Sequence, residues 1–186
     1  MGRRVRHHRG GVRRHRTARR PAAETAADLL PAHLVPEAVA RIEYLEVEDV
    51  EGGVVALPGT LRLLAQLPPE RWAVVTSATR RLAEARLAEV GVRPKMTVAA
   101  DDITRGKPDP EPFLLAARRL GVDPARCVVF EDAPAGLTAG RAAGMRTVAL
   151  ATTHARAELT ADLVVPDLSA VSVQVTAEGF EITAAE

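Results

Sequence analysis

The run Val128-Val129-Phe130 ends in two adjacent acids, Glu131-Asp132, and Gly136–Met145, a segment rich in small residues, follows at once. A short, continuous apolar run reads as a strand buried on both faces. The Ala/Gly-rich segment reads as a helix closed by Gly144 and returning across the sheet. That pairing restricts the chain to a layered α/β fold with parallel strands. In such sheets ligands meet the C-terminal ends of the strands. Two neighbouring carboxylates at a strand end repel each other unless a cation compensates them. Oxygen donors suit a hard divalent ion such as Mg²⁺. The alternative reading is a helix N-cap at Asp132 beside a solvated Glu131.

The same alternation extends through the chain. Trp72–Thr76, Met96–Ala99, Cys127–Phe130, Thr147–Leu150 and Leu163–Val165 read as strands. Ala83–Val90, Pro112–Leu120 and Gly136–Ala143 read as the intervening helices, stopped by Gly91, Gly121 and Gly144. Pro58-Gly59-Thr60 opens a helix through Leu67, with Pro near the first turn, where its missing N–H is tolerated. Upstream, Ala22–Leu30 and Glu37–Glu48 read as helices, with Pro31 and Pro36 breaking the chain between them. Ser172–Thr183 reads as a terminal hairpin around Glu178-Gly179. The expected organisation is an Arg-rich leader without a fold over 1–20, partial helical cap over 21–52, Rossmann-like core over 53–171, and hairpin or tail over 172–186.

The formal charge of +1 conceals an asymmetry. Nine of the 25 basic residues lie in the first 20 positions, leaving 16 against 24 acids in the remainder. Such a leader has too little apolar content to fold. Its arginines could meet phosphates, but it lacks the interleaved aromatics of a stacking platform, so nucleic acid is not expected as a partner. The single cysteine, Cys127, excludes a disulfide framework and fits a reducing compartment. No apolar run reaches the roughly 18 residues needed for a membrane span, and no apolar segment of secretory type follows the leader. A cytoplasmic protein without a membrane partner is expected.

Two further places offer chemistry. Thr76-Ser77-Ala78 follows an apolar run directly, where a hydroxyl and the N–H groups of a following helix can hold a phosphate oxygen. The competing reading is an ordinary N-cap. Lys107 lies in Arg105-Gly106-Lys107-Pro108-Asp109-Pro110-Glu111-Pro112 and is one of only two lysines in the chain. Its ammonium is a compact charge able to pair with a carboxylate and a phosphate together. The bland reading is an exposed loop lysine. Asp49-Val50-Glu51-Gly52 has the acid spacing of a strand-end nucleophile, but Glu46-Val47-Glu48 precedes it instead of an apolar run.

In order and spacing, Thr76-Ser77, Gly106-Lys107-Pro108-Asp109-Pro110, and Phe130-Glu131-Asp132 with Ala135-Gly136 and Ala142-Ala143-Gly144-Met145 resemble the second, third and fourth motifs of the haloacid dehalogenase-like hydrolases. The branch most similar is that of the phosphatases and phosphoglucomutase-type enzymes with a small helical cap. The resemblance runs from about Pro21 to Val171 and implies Mg²⁺-dependent phosphoryl transfer through an aspartyl-phosphate. Carried over by position, Thr76, Ser77, Ala78 and Lys107 would bind phosphate. Lys107 would also bridge to the nucleophile, and Asp132 would bind Mg²⁺ with Glu131 in support. The substrate would be a small phosphorylated metabolite of the sugar- or glycerol-phosphate type.

One motif of the family is missing from this pattern. Its first strand, ending in Asp-x-Asp-Gly, should precede the cap, and nothing in residues 1–20 resembles it. The Arg-rich leader reads as unrelated sequence, as a misplaced start would produce. In the family that strand lies between those ending at Thr76 and Glu131. Its loss would leave both without their shared neighbour. Such a chain is expected to lack turnover, to be marginally stable, and to self-associate through exposed strands. The alternative function is a non-catalytic phosphate- or Mg²⁺-binding or interaction protein derived from the same fold.

Overall fold

A computed structural model describes residues 22–177 and 179–184. The expectation for the Arg-rich leader over residues 1–20 falls outside the described residues. Two helices come first, α1 (Ala22–Leu29) and α2 (Val35–Glu48). Pro36 lies in the first turn of α2 and does not separate the helices, because the N–H that proline lacks has no intrahelical partner there. Asp49 closes α2, so Asp49-Val50-Glu51-Gly52 follows a helix and not a strand.

The α/β layer follows: α3 (Thr60–Gln66), β1 (Val74–Val75), α4 (Arg80–Glu89), β2 (Thr97–Val98), α5 (Glu111–Leu120), β3 (Val128–Glu131), α6 (Pro134–Ala142), β4 (Arg146–Leu150) and β5 (Leu163–Val165). It is a parallel α/β arrangement flanked by helices, and its sheet is in two pieces. One piece pairs β1 with β2, and the other runs β3-β4-β5. The first two strands are shorter than the apolar runs around them, with two paired residues each. Val74 and Thr76 donate to Met96 and Val98, so the peptide groups of Val75 point away from β2.

Side chains alternate between faces along the strands. On one face Val129 packs with Phe113 and Ala117 of α5 and with Ala139, Ala143 and Met145 from α6 and its exit, with Val75 against them. Gly140 keeps α6 close to the sheet, where an added Cβ would press on Val129 and Thr147. On the other face Val148 and Val165 meet Leu63 of α3 and Val171, with Val128 and Phe130 alongside. The last two strands, β6 (Val171–Val175) and β7 (Phe180–Ala184), form an antiparallel hairpin whose Val173, Ile182 and Ala184 pack against that second cluster. The hairpin is therefore joined to the core.

Polar contacts hold the N-terminal helices. No residue of α2 is buried. Its Glu43 accepts from the Thr79 hydroxyl at 2.6 Å, and its Glu46 pairs with Arg86 at 3.2 Å, both partners belonging to α4 and its cap. Tyr44 and Leu45 remain exposed. No described helix is long and apolar enough to cross a membrane.

Gly59 precedes α3 with φ +80, outside the first turn that Pro58 was expected to open. A Cβ there would overlap the Leu168–Ser169 backbone. Left-handed φ and direct backbone contact act together, so Gly59→Ala should destabilise by about 2 kcal/mol or more. Urea unfolding of the variant beside the parent chain measures this.

Asp102 ties three elements together. Its carboxylate accepts from Ala99 N–H at 2.8 Å, meets Arg80 of α4 at 2.6 Å, and meets Arg119 of α5 at 3.1 Å. The Ala99 N–H, then Arg119 and Arg80, hold its pKa below the usual carboxylate range against an opposing desolvation effect. A depressed folded-state pKa stabilises above the unfolded value, about 3.9, and that stability is lost as pH falls through the folded value. The part of the thermal midpoint that rests on Asp102 should therefore be lost progressively below about pH 4. Asp102→Asn should lower the midpoint at pH 7 and flatten the acid limb.

Candidate functional site

The C-terminal ends of β1 and β3 meet through one side chain. Lys107 Nζ donates to the Val75 carbonyl at 3.1 Å and to Glu131 Oε2 at 2.6 Å. The ammonium also lies 5.0 Å from the centroid of the Phe113 ring, a cation–π contact. Lys107 and Glu131 are 11% and 12% exposed, so this ion pair is shielded far more than a surface pair. The loop is braced on both sides of the lysine. Glu111 accepts from Thr104 and Arg105 N–H, and Asp109 accepts from Glu111 N–H. The Lys107–Pro108 peptide is cis.

Glu131 is engaged within the protein through both carboxylate oxygens. Oε2 takes Lys107, while Oε1 faces the N–H groups of Asp132 and Ala133 at 3.3 Å. Its carboxylate is thus committed to the protein. The Asp132 carboxylate, by contrast, has no hydrogen-bond or ion-pair partner among the described residues. The described residues also form no group of three or more His, Cys, Asp or Glu able to enclose a metal. One free carboxylate at a strand end fits a cation that keeps much of its water, the habit of Mg²⁺, and not a fully caged ion.

The phosphate candidates divide. The Thr76 hydroxyl accepts from Ala78 N–H at 3.1 Å in a local turn, which engages the Ala78 N–H. Ser77, between them, is exposed, and its hydroxyl has no partner among the described residues. The start of α4 is already capped, with Thr79 accepting from Leu82 N–H and Asp101 from Arg80 N–H. The Ser77 hydroxyl is thus open to an anion at this turn. The structure brings Lys107 and Glu131 into contact and places Asp132 directly after Glu131. The Thr76–Ala78 turn follows Val75, whose carbonyl Lys107 holds.

Sequence reading missed two features. Gly136 lies in the first turn of α6, and a Cβ on it would occupy the space of the Glu131 carboxyl group. The spacing Glu131…Gly136 is thus a steric relation, and its only sequence signal is the glycine near a helix start. Thr153 and His154, in the loop beyond β4, both reach the Asp132 carbonyl at 3.0 Å. They lie more than 20 residues away, and no spacing rule links them to Asp132.

Alanine normally stabilises a helix over glycine by about 0.5–1 kcal/mol. Gly136→Ala should instead destabilise by about 1–2 kcal/mol, because the flexible Glu131 side chain must leave Lys107 and charge-assisted bonds are lost. In a double-mutant cycle with Glu131→Ala the penalty should vanish or reverse. An undiminished penalty would mean that Gly136 acts through another contact.

Comparison with known proteins bears on the family and the fold. The family model for the haloacid dehalogenase-like hydrolases matches residues 3–144. Validoxylamine A 7'-phosphate phosphatase from Streptomyces hygroscopicus subsp. limoneus is 41% identical over 161 residues, which are 82% of this chain and 75% of that protein. Hexitol phosphatase A from Escherichia coli is 43% identical over 113 residues, 59% of this chain and 52% of that protein. Among solved structures, CbbY from Rhodobacter sphaeroides in complex with phosphate superposes with a TM-score of 0.65 at 27% identity, covering 76% of this chain and 66% of that one. The chain spans three quarters of the first relative and about half of the second. With motif order, fold and matched length in agreement, the chain belongs to the haloacid dehalogenase-like hydrolase family.

Proposed function

We propose that this chain carries the phosphate- and Mg²⁺-binding part of a phosphatase for small phosphorylated metabolites of the sugar- or polyol-phosphate class. The observation that carries the reading is the Lys107 ammonium, held between the Val75 carbonyl and Glu131 at the strand ends. The two relatives described above bear the names of a validoxylamine phosphate phosphatase and a hexitol phosphatase, which supports this substrate class.

Each residue has a physical task in this reading. Lys107 neutralises charge on the transferring group, with Phe113 and the Val75 carbonyl fixing its head. Glu131 holds Lys107 in place. Ser77 offers its hydroxyl to a phosphate oxygen, while the Thr76–Ala78 bond sets the turn that presents it. Asp132 supplies a free carboxylate for Mg²⁺. Bound there, the ion would add Lewis-acid neutralisation of phosphoryl charge.

Attack on phosphorus needs a further carboxylate near the Lys107 head. Among the described residues the ends of β1 and β3 offer Glu131, already bound to Lys107, and Asp132, while Asp101 and Asp102 after β2 are engaged by Arg80 and Arg119. This observation favours a second reading of the same residues, as a binding module without turnover. Both readings predict that inorganic phosphate with Mg²⁺ raises the thermal midpoint of the parent chain. Lys107→Ala should weaken phosphate binding by about 10-fold or more, the worth of a charge-assisted contact. Release of phosphate from glycerol phosphate or a hexitol phosphate should stay near background. Mg²⁺-dependent turnover by the chain would overturn the second reading, and failure to bind phosphate would overturn both.

A further inference from the structure

The Asp132 peptide is restrained from both sides. Its N–H faces Glu131 Oε1 at 3.3 Å. Its carbonyl receives two contacts from the loop after β4, from Thr153 Oγ1 and from His154 Nδ1, each at 3.0 Å. A carbonyl oxygen only accepts, so the contact to Asp132 is a hydrogen bond in the tautomer with the proton on Nδ1. Thr153 Oγ1 and His154 Nδ1 lie 3.0 Å apart, and in that tautomer two donors converge on the two lone pairs of one oxygen. β3 and β4 are adjacent, with Glu131 opposite Ala149, so the loops leaving them run side by side. Among the polar groups of Asp132, only the carboxylate is left without a partner among the described residues.

We propose that Thr153 and His154 are positioning residues for metal binding, fixing the Asp132 backbone so that its carboxylate is held ready for Mg²⁺. The inference rests on the reading of Asp132 as a metal ligand given above. A pinned carbonyl removes the peptide rotation that would swing the Cα–Cβ bond, so less freedom is lost when the cation binds. Groups that orient a ligand in this way typically change metal affinity by about 10- to 100-fold when removed. The role needs only a donor at the Nδ1 position, whatever the charge of the ring.

The test is titration of the whole chain with Mg²⁺ alone, followed by calorimetry and by the thermal midpoint. Asparagine can place an amide N–H near the Nδ1 position, whereas glutamine places it near Nε2. His154→Asn should therefore keep Mg²⁺ affinity within about 3-fold, while His154→Gln and Thr153→Ala should each weaken it by about 10-fold. Thr153→Ser should restore it. Thr152→Val is the control, because the Thr152 hydroxyl is buried in the same loop without a partner among the described residues. It should leave Mg²⁺ binding unchanged. Asp132→Asn should abolish binding. If Asp132→Asn abolishes binding but the Thr153 and His154 variants all match the parent, the positioning role is overturned and the ligand assignment stands. Equal affinity of His154→Asn and His154→Gln also overturns it. If Asp132→Asn binds Mg²⁺ as the parent does, or the parent shows no Mg²⁺ binding, the ligand assignment fails and the inference with it.

Discussion

The arrangement at the strand ends depends on one shielded ammonium group. Lys107 holds a backbone carbonyl of one sheet piece and a carboxylate of the other, and these two strands share no ladder hydrogen bonds. A charge with so little exposure is tolerable only when its partners are close and well aligned. Several nearby features answer that requirement. Gly136 leaves room for Glu131, Phe113 offers its ring face, and the Glu111 and Asp109 contacts stiffen the loop that delivers the lysine. Structural and chemical demands thus converge on one residue.

The molecule is consolidated unevenly around that point. Helices α5 and α6 close one face of the β3 piece with an aliphatic cluster, and α3 with the terminal hairpin closes the other. Apolar burial dominates there, and it is non-directional and cooperative. The N-terminal helices are attached differently, through Glu43, Glu46 and the Gly52–Glu89 contact, while their own leucines remain exposed. Partly exposed polar ties of this kind contribute little each. The N-terminal helices are therefore held less firmly than the α/β layer.

Division of labour among acids gives the site its character. Glu131 and Asp132 are neighbours in sequence and of like charge, yet among the described residues the Glu131 carboxylate is engaged and the Asp132 carboxylate has no partner. Glu131 is satisfied by Lys107 and by the N–H groups after it, while Asp132 has its peptide pinned and its carboxylate open. Separating the roles of adjacent carboxylates by their surroundings avoids two buried anions competing for one cation.

Much was legible in the chain itself. Apolar runs of strand length and helix stops at Gly91, Gly121 and Gly144 disclose a parallel α/β layer, because periodicity and backbone preference are local properties, and Ser77 and Asp132 fall just beyond its strand ends. Strand extent was less legible: β1 and β2 pair over two residues each, since pairing depends on the neighbour and not on the run. Pro36 was misread as a break because only the actual first turn shows that its missing N–H is harmless. What Glu131 touches, why Gly136 must lack a Cβ, and how Thr153 and His154 reach Asp132 were decided by tertiary structure alone. Each depends on the distance between groups on different elements, and sequence separation says nothing of that until the sheet register brings the loops together.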